Sequence, residues 1–80
     1  MKHTPNNPSP KLAALQAAEA IVEAAGFDPC PVSSHVSHGR AFAASADRAG
    51  IGHDRGPVFT VTVDVETCTV VSTTGTPREA

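Results

Sequence analysis

The sequence predicts an α+β fold, with one N-terminal helix packed on a three- to four-stranded antiparallel sheet. Three observations predict it. From Val58 to Val65 the residues alternate, with Phe59, Val61, Val63 and Val65 on one face and Val58, Thr60, Thr62 and Asp64 on the other. A side-chain period of two is that of a half-buried strand. A second β-rich run, Cys68 to Thr73, follows at once and makes a hairpin with the first. Upstream, KLAALQAAEAIVEAAG is dominated by the best helix formers and supplies the cover the hairpin's apolar face needs.

Taken in order, Met1 to Pro8 is polar and reads as a disordered tail preceding a single domain over residues 9–74. Ser9 then Pro10 has the form of an N-cap followed by a first-turn proline. The helix is expected from Pro10 to Ala25, with Leu12, Leu15, Ala18, Val22 and Ala25 along one face. Gly26 stands where a left-handed residue ends it. Phe27 should dock back under the helix end, and Asp28-Pro29-Cys30-Pro31 is a stiff connector. Val32 to Ser37 and Arg40 to Ala46 read as two weaker strands joined by His38-Gly39, although Arg40 to Gly50 also has helical composition. A two-stranded hairpin is marginal alone, which favours the reading with more strands. Asp47 to Pro57, with three glycines, reads as a mobile loop, and residues 75–80 as a polar tail.

The closing turn pairs Asp64 with Thr69, so that Val70 joins the inner face and Val71 faces outward beside Thr62. The pattern Val63-Asp64-x-x-Thr67-x-x-Val70 resembles the VDxxTGxV hairpin that ends PepSY-type domains and several cystatin-like small folds. The resemblance spans Val63 to Val70 and implies a helix-plus-antiparallel-sheet inhibitor, immunity protein or regulator. The family's glycine is Cys68 here. Either the turn is a plain Glu66-Thr67 loop, or Cys68 takes a backbone conformation that suits glycine.

Composition narrows the function. An 80-residue chain buries only about 60% of the surface its unfolded form exposes. Thirteen residues are Ala, and Leu, Ile, Val and Phe together number sixteen, so the core is small. A net charge of -2 argues against a nucleic-acid backbone binder. No apolar run approaches a membrane span, and MKHTPNNPSP has no apolar signal segment. Two cysteines in that setting read as cytosolic free thiols.

Cys30, His35, His38 and His53 form the candidate zinc set, since thiolate and imidazole are preferred zinc ligands. Cys-x4-His-x2-His matches no standard spacing, however, and residues 35 and 38 of one strand point to opposite faces. Ser33, Ser34 and His35 with Asp47 or Asp54 can be drawn as a triad, but no nucleophile-elbow motif accompanies them. Gly50-Ile51-Gly52 lacks the Gly-Lys-Ser/Thr of a phosphate loop. Arg40, Arg48 and Arg55 gather around one loop in sequence, and arginine is enriched at protein interfaces.

The sequence therefore points to a non-enzymatic, cytoplasmic protein-binding domain without a cofactor. It would act as an inhibitor or regulator of the immunity, antitoxin or phage anti-CRISPR kind, with Arg40, Arg48, Arg55 and Val71 as partner-binding residues. The zinc-binding domain is the alternative. The thin core and the unguarded last strand also predict a homodimer.

Overall fold

The computed structural model describes residues 9–50 and 56–78; the expected tail over residues 1–8 lies outside them. Helix α1 runs Pro10–Ala24. A 3-10 turn, Pro31–Ser33, leads into β1 (His35–Ser37), followed by β2 (Arg40–Ala44), β3 (Arg48–Ala49), β4 (Gly56–Pro57), β5 (Thr60–Asp64) and β6 (Val70–Thr74). The main sheet is antiparallel and four-stranded in the order β1-β2-β5-β6, while β3 and β4 pair separately.

Both ends of α1 are closed by local chemistry. The Leu12 amide donates to Ser9 Oγ at 3.2 Å, and Pro10 needs no acceptor in the first turn. At the other end Gly26 sits at φ +96°, its amide donating to the Glu23 carbonyl and the Phe27 amide to the Val22 carbonyl. This is the Schellman closure, which turns Phe27 back beneath the helix. There its ring stacks on Phe59, with centroids 5.7 Å apart.

The core lies between α1 and the strands it crosses, β2 and β5. Ala14, Ala18, Val22 and Ala25 meet Ala41, Ala43, Val61 and Val63, with the two phenylalanines closing one end. The small alanines on both layers let the helix approach the sheet closely. The helix face differs from the expected one: Ala14 is fully buried, whereas Leu12 is 45% exposed. Buried positions spaced four, four and three apart trace a stripe that leaves Leu12 on the far side.

The hairpin reading of residues 32–46 holds, with shorter strands. The Cys30 amide is drawn to the Ala44 carbonyl and Pro31 begins a 3-10 turn, so the first strand starts at His35 and not at Val32. His38 at φ 53° and Gly39 at φ 74° are both left-handed, as the two-residue turn between twisted strands demands. The second strand stops at Ala44, because Ser45 is turned inward and fully buried. The segment read as a mobile loop has strand at both ends, where Arg48 pairs with Pro57 and Ala49 with Gly56.

The residues after β6 cross the open end of the core. Gly75 at φ +94° passes so close to the Val58 carbonyl that a Cβ would overlap it. The Arg78 amide donates to the Ala25 carbonyl at 2.8 Å, and its guanidinium lies 4.8 Å from the Phe27 ring centroid and pairs with Asp47.

The β5–β6 turn resolves the alternative at Cys68. It is not a plain two-residue loop: Cys68 stands at φ 56°, and its amide donates to the Asp64 carbonyl. A left-handed non-glycine residue costs roughly 1–2 kcal/mol. Cys68→Gly is therefore expected to raise the thermal midpoint by the equivalent of about 1 kcal/mol. A lowered midpoint would mean that the cysteine side chain contributes more than its backbone costs.

Candidate functional site

The site is best built from β6 outward. Among the described residues it has a neighbour on one side only, β5, and none of them pairs with the amides and carbonyls of its other edge. All five of its residues are exposed. From Thr67 to Thr74 there is no charge and no proline. The opposite edge, β1, is only three residues long and is entered from the 3-10 turn.

A bulge shapes the face of β6. Thr62 pairs with Ser72 while Val63 pairs with Val70, leaving Val71 as the extra residue. The expected placement of Val71 outward beside Thr62 is thus overturned, because Ser72 holds that position. Pairing with Val63 puts Val70 on the helix side, and alternation back from Thr73 puts Val71 there too. Val70 joins the inner face as expected but is not covered. Helix α1 lies over β2 and β5 and barely reaches β6, so Val70 and Val71 remain 50% and 44% exposed.

The outward face of the sheet is polar around one aromatic. Phe42 packs against His35 at 5.3 Å between centroids and lies across from Thr62. Thr60 and Thr74 join hydroxyl to hydroxyl across β5 and β6. At the turn end, His38, Gly39, Arg40, Asp64, Val65 and Glu66 line an open depression of about 380 Å³. The Val65 amide donates to the Gly39 carbonyl at 2.9 Å and ties the two turns together.

Asp64 organises the second turn. Its Oδ1 accepts the Glu66 amide at 2.8 Å and the Thr67 amide at 3.1 Å, and its Oδ2 lies 3.7 Å from Arg40 Nε. The Thr67 amide, then the Glu66 amide and Arg40, hold its carboxyl below the usual aspartate value against a smaller opposing effect of desolvation. A carboxylate depressed on folding stabilises the fold above its unfolded pKa, and that contribution disappears as pH falls through the folded value. In melts from about pH 5 down to about pH 2, wild type should lose its advantage over Asp64→Ala. A gap that stays constant across that range would show that Asp64 acts without its charge.

The other candidates do not assemble. Arg40 begins β2 beside the turn and pairs with Asp64, whereas Arg48 pairs with Pro57 beyond the other end of β2. The arginines expected around one loop are therefore separated, and Arg55 lies outside the described residues, as do Asp54 and His53. Among the described residues no three of His, Cys, Asp and Glu come together to hold a metal ion. Cys30 lies by the Ala44 end of β2, His35 opposite Phe42, and His38 in the turn at the far end. Cys30 is half-buried, and the Ser33 hydroxyl donates to its Sγ at 3.6 Å. That bond, with the Ser33 and Val32 amides and Arg48, lowers the thiol's pKa despite the opposing effect of desolvation. Cys68 is exposed and both thiols are free. Among the described residues no helix is long and apolar enough to cross a membrane.

The bulged edge of β6 was partly visible in the sequence as an unguarded strand; the bulge had no sequence signal, since Val70 and Val71 are adjacent valines in any register. No family model, no curated protein and no solved structure matches the chain.

Proposed function

We propose that this chain is a small, non-enzymatic, cytoplasmic protein-binding domain that inhibits or regulates another protein by pairing with it along β6. One observation carries the reading: a five-residue edge, exposed at every position, without charge or proline, whose first two residues are half-exposed valines. Main-chain pairing at such an edge gives affinity, and the side chains beside it give selectivity. Immunity proteins, antitoxins and phage anti-CRISPRs are comparable in size and charge and act by occupying a partner's surface. Arg40, held by Asp64 near the same end of the sheet, adds a cation at the border of this surface, and Arg48 marks a separate one.

The test is affinity capture from the native host with three baits: wild type, Val71→Lys and Arg48→Glu. The reading expects a protein held by wild type and by Arg48→Glu but lost with Val71→Lys. A protein held by Val71→Lys and lost with Arg48→Glu would move the interface to the β3–β4 end.

A further inference from the structure

We infer that the strand occupying the β6 edge of the free protein is β6 of a second copy, paired antiparallel about a two-fold axis normal to the sheet. This rests on β6 being the recognition edge and names its resting occupant.

Three features of the strand select its own copy. The first is charge. The chain carries a net -2, yet Thr67 to Thr74 is uncharged. Two copies of β6 therefore meet without like charges along the strand. The second is the bulge. It puts Val70 and Val71 together on the helix side, where α1 does not cover them. A two-fold axis normal to the sheet and passing beside Val71 keeps that side common to both copies and sets the valines of each beside those of the other. A two-fold axis along the strand would instead put the two pairs of valines on opposite faces.

The third is closure. An isologous contact uses the same surface twice and stops there. The other edge, β1, has three residues, His35 to Ser37, and is entered from a 3-10 turn that begins with Pro31. With one usable edge per copy, pairing ends at two chains and does not run on into a fibre. The product is a continuous eight-stranded sheet in the order β1-β2-β5-β6-β6-β5-β2-β1, with both helices on one face. A foreign partner strand must then displace the second copy, which makes binding depend on protein concentration.

Sedimentation across micromolar concentrations, with amide exchange on the same samples, tests this. Wild type should approach twice the 8.2 kDa chain mass, with protection rising with concentration at β6 and not at β1. Val71→Lys sets two ammonium groups close across the axis, and Thr73→Pro removes an amide that faces the open edge, since alternation from the Asp64–Thr69 bond turns the Ser72 amide to β5 and the Thr73 amide outward. Each should weaken association at least ~10-fold, a change of ~1.4 kcal/mol, while circular dichroism confirms that Val71→Lys stays folded. A wild-type monomer throughout would overturn the second copy while leaving β6 open to a partner, as the capture experiment decides separately. A dimer indifferent to both substitutions, or one protected elsewhere than β6, would also overturn it.

Discussion

Val61→Asp should leave the chain without a cooperative thermal transition. Val61 is fully buried at the middle of β5, between Ala43 on β2 and Thr73 on β6, with α1 above it. The core cluster around it is Ala, Val and Phe and holds no cation to neutralise a carboxylate, and Thr73 offers it a hydroxyl alone, from the exposed strand. An unpaired buried charge costs several kcal/mol even after its pKa shifts to neutralise it. A domain of this length holds only about 4–12 kcal/mol in total, at the usual 0.05–0.15 per residue. The penalty is thus comparable with the whole stability. Thr62→Asp provides the control, because Thr62 lies on the opposite face of the same strand and is partly exposed. Circular dichroism melts of the two variants should differ sharply, with Thr62→Asp remaining folded. A wild-type transition in Val61→Asp would reverse the assignment of the two faces.

That face was legible in the sequence because β5 alternates strictly and the physics of a half-buried strand leaves no other reading. The helix was legible for the same kind of reason, since its start and stop signals are local: a serine before a proline, and a glycine at the left-handed position. His38-Gly39 announced the β1–β2 turn through residues that accept positive φ. What failed to show was whatever depends on contacts distant in sequence. Leu12 is apolar and helical, yet it stays exposed because the helix packs through Ala14, Ala18, Val22 and Ala25, which leaves Leu12 on its far side. Arg40 and Arg48 look adjacent in the chain, but β2 runs between them and carries them to opposite ends. The docking of Arg78 on Phe27 and Asp47 joins segments far apart in sequence and has no local pattern. For the site, the absence of charge and proline on the last strand was visible beforehand. The bulge that turns both valines to the helix side was not, because register is set by pairing and by the turn around Asp64 and Cys68.

Ser45 is the second residue whose loss should be severe, and composition gives it no distinction among the chain's serines. It is fully buried just past the end of β2. Its Oγ accepts the amides of Val58 and Phe59, each at 3.1 Å, and donates to the Asp47 carbonyl at 3.0 Å. One hydroxyl thus satisfies the backbone where the chain enters β5, and the Ser45 amide adds a bond to the Phe59 carbonyl at 2.8 Å. Alanine would keep the backbone bond and the packing of Cβ, and the Val58 amide would keep the Asp47 carbonyl at 3.1 Å, but the buried Phe59 amide would lose its acceptor. An unsatisfied buried donor costs about 1–3 kcal/mol, so Ser45→Ala should lose about that much. The effect is expected as a fall in the urea midpoint with an unchanged slope, since the folded state keeps its compactness. Amide exchange at Phe59 should quicken more than at Val58, which keeps the Asp47 carbonyl, and more than at Val63, which lies at the other end of β5 and keeps its sheet partners. A loss below about 0.5 kcal/mol, within the usual range for an ordinary surface substitution, would mean that the Phe59 amide finds another acceptor and that Ser45 does not hold the start of β5 in place.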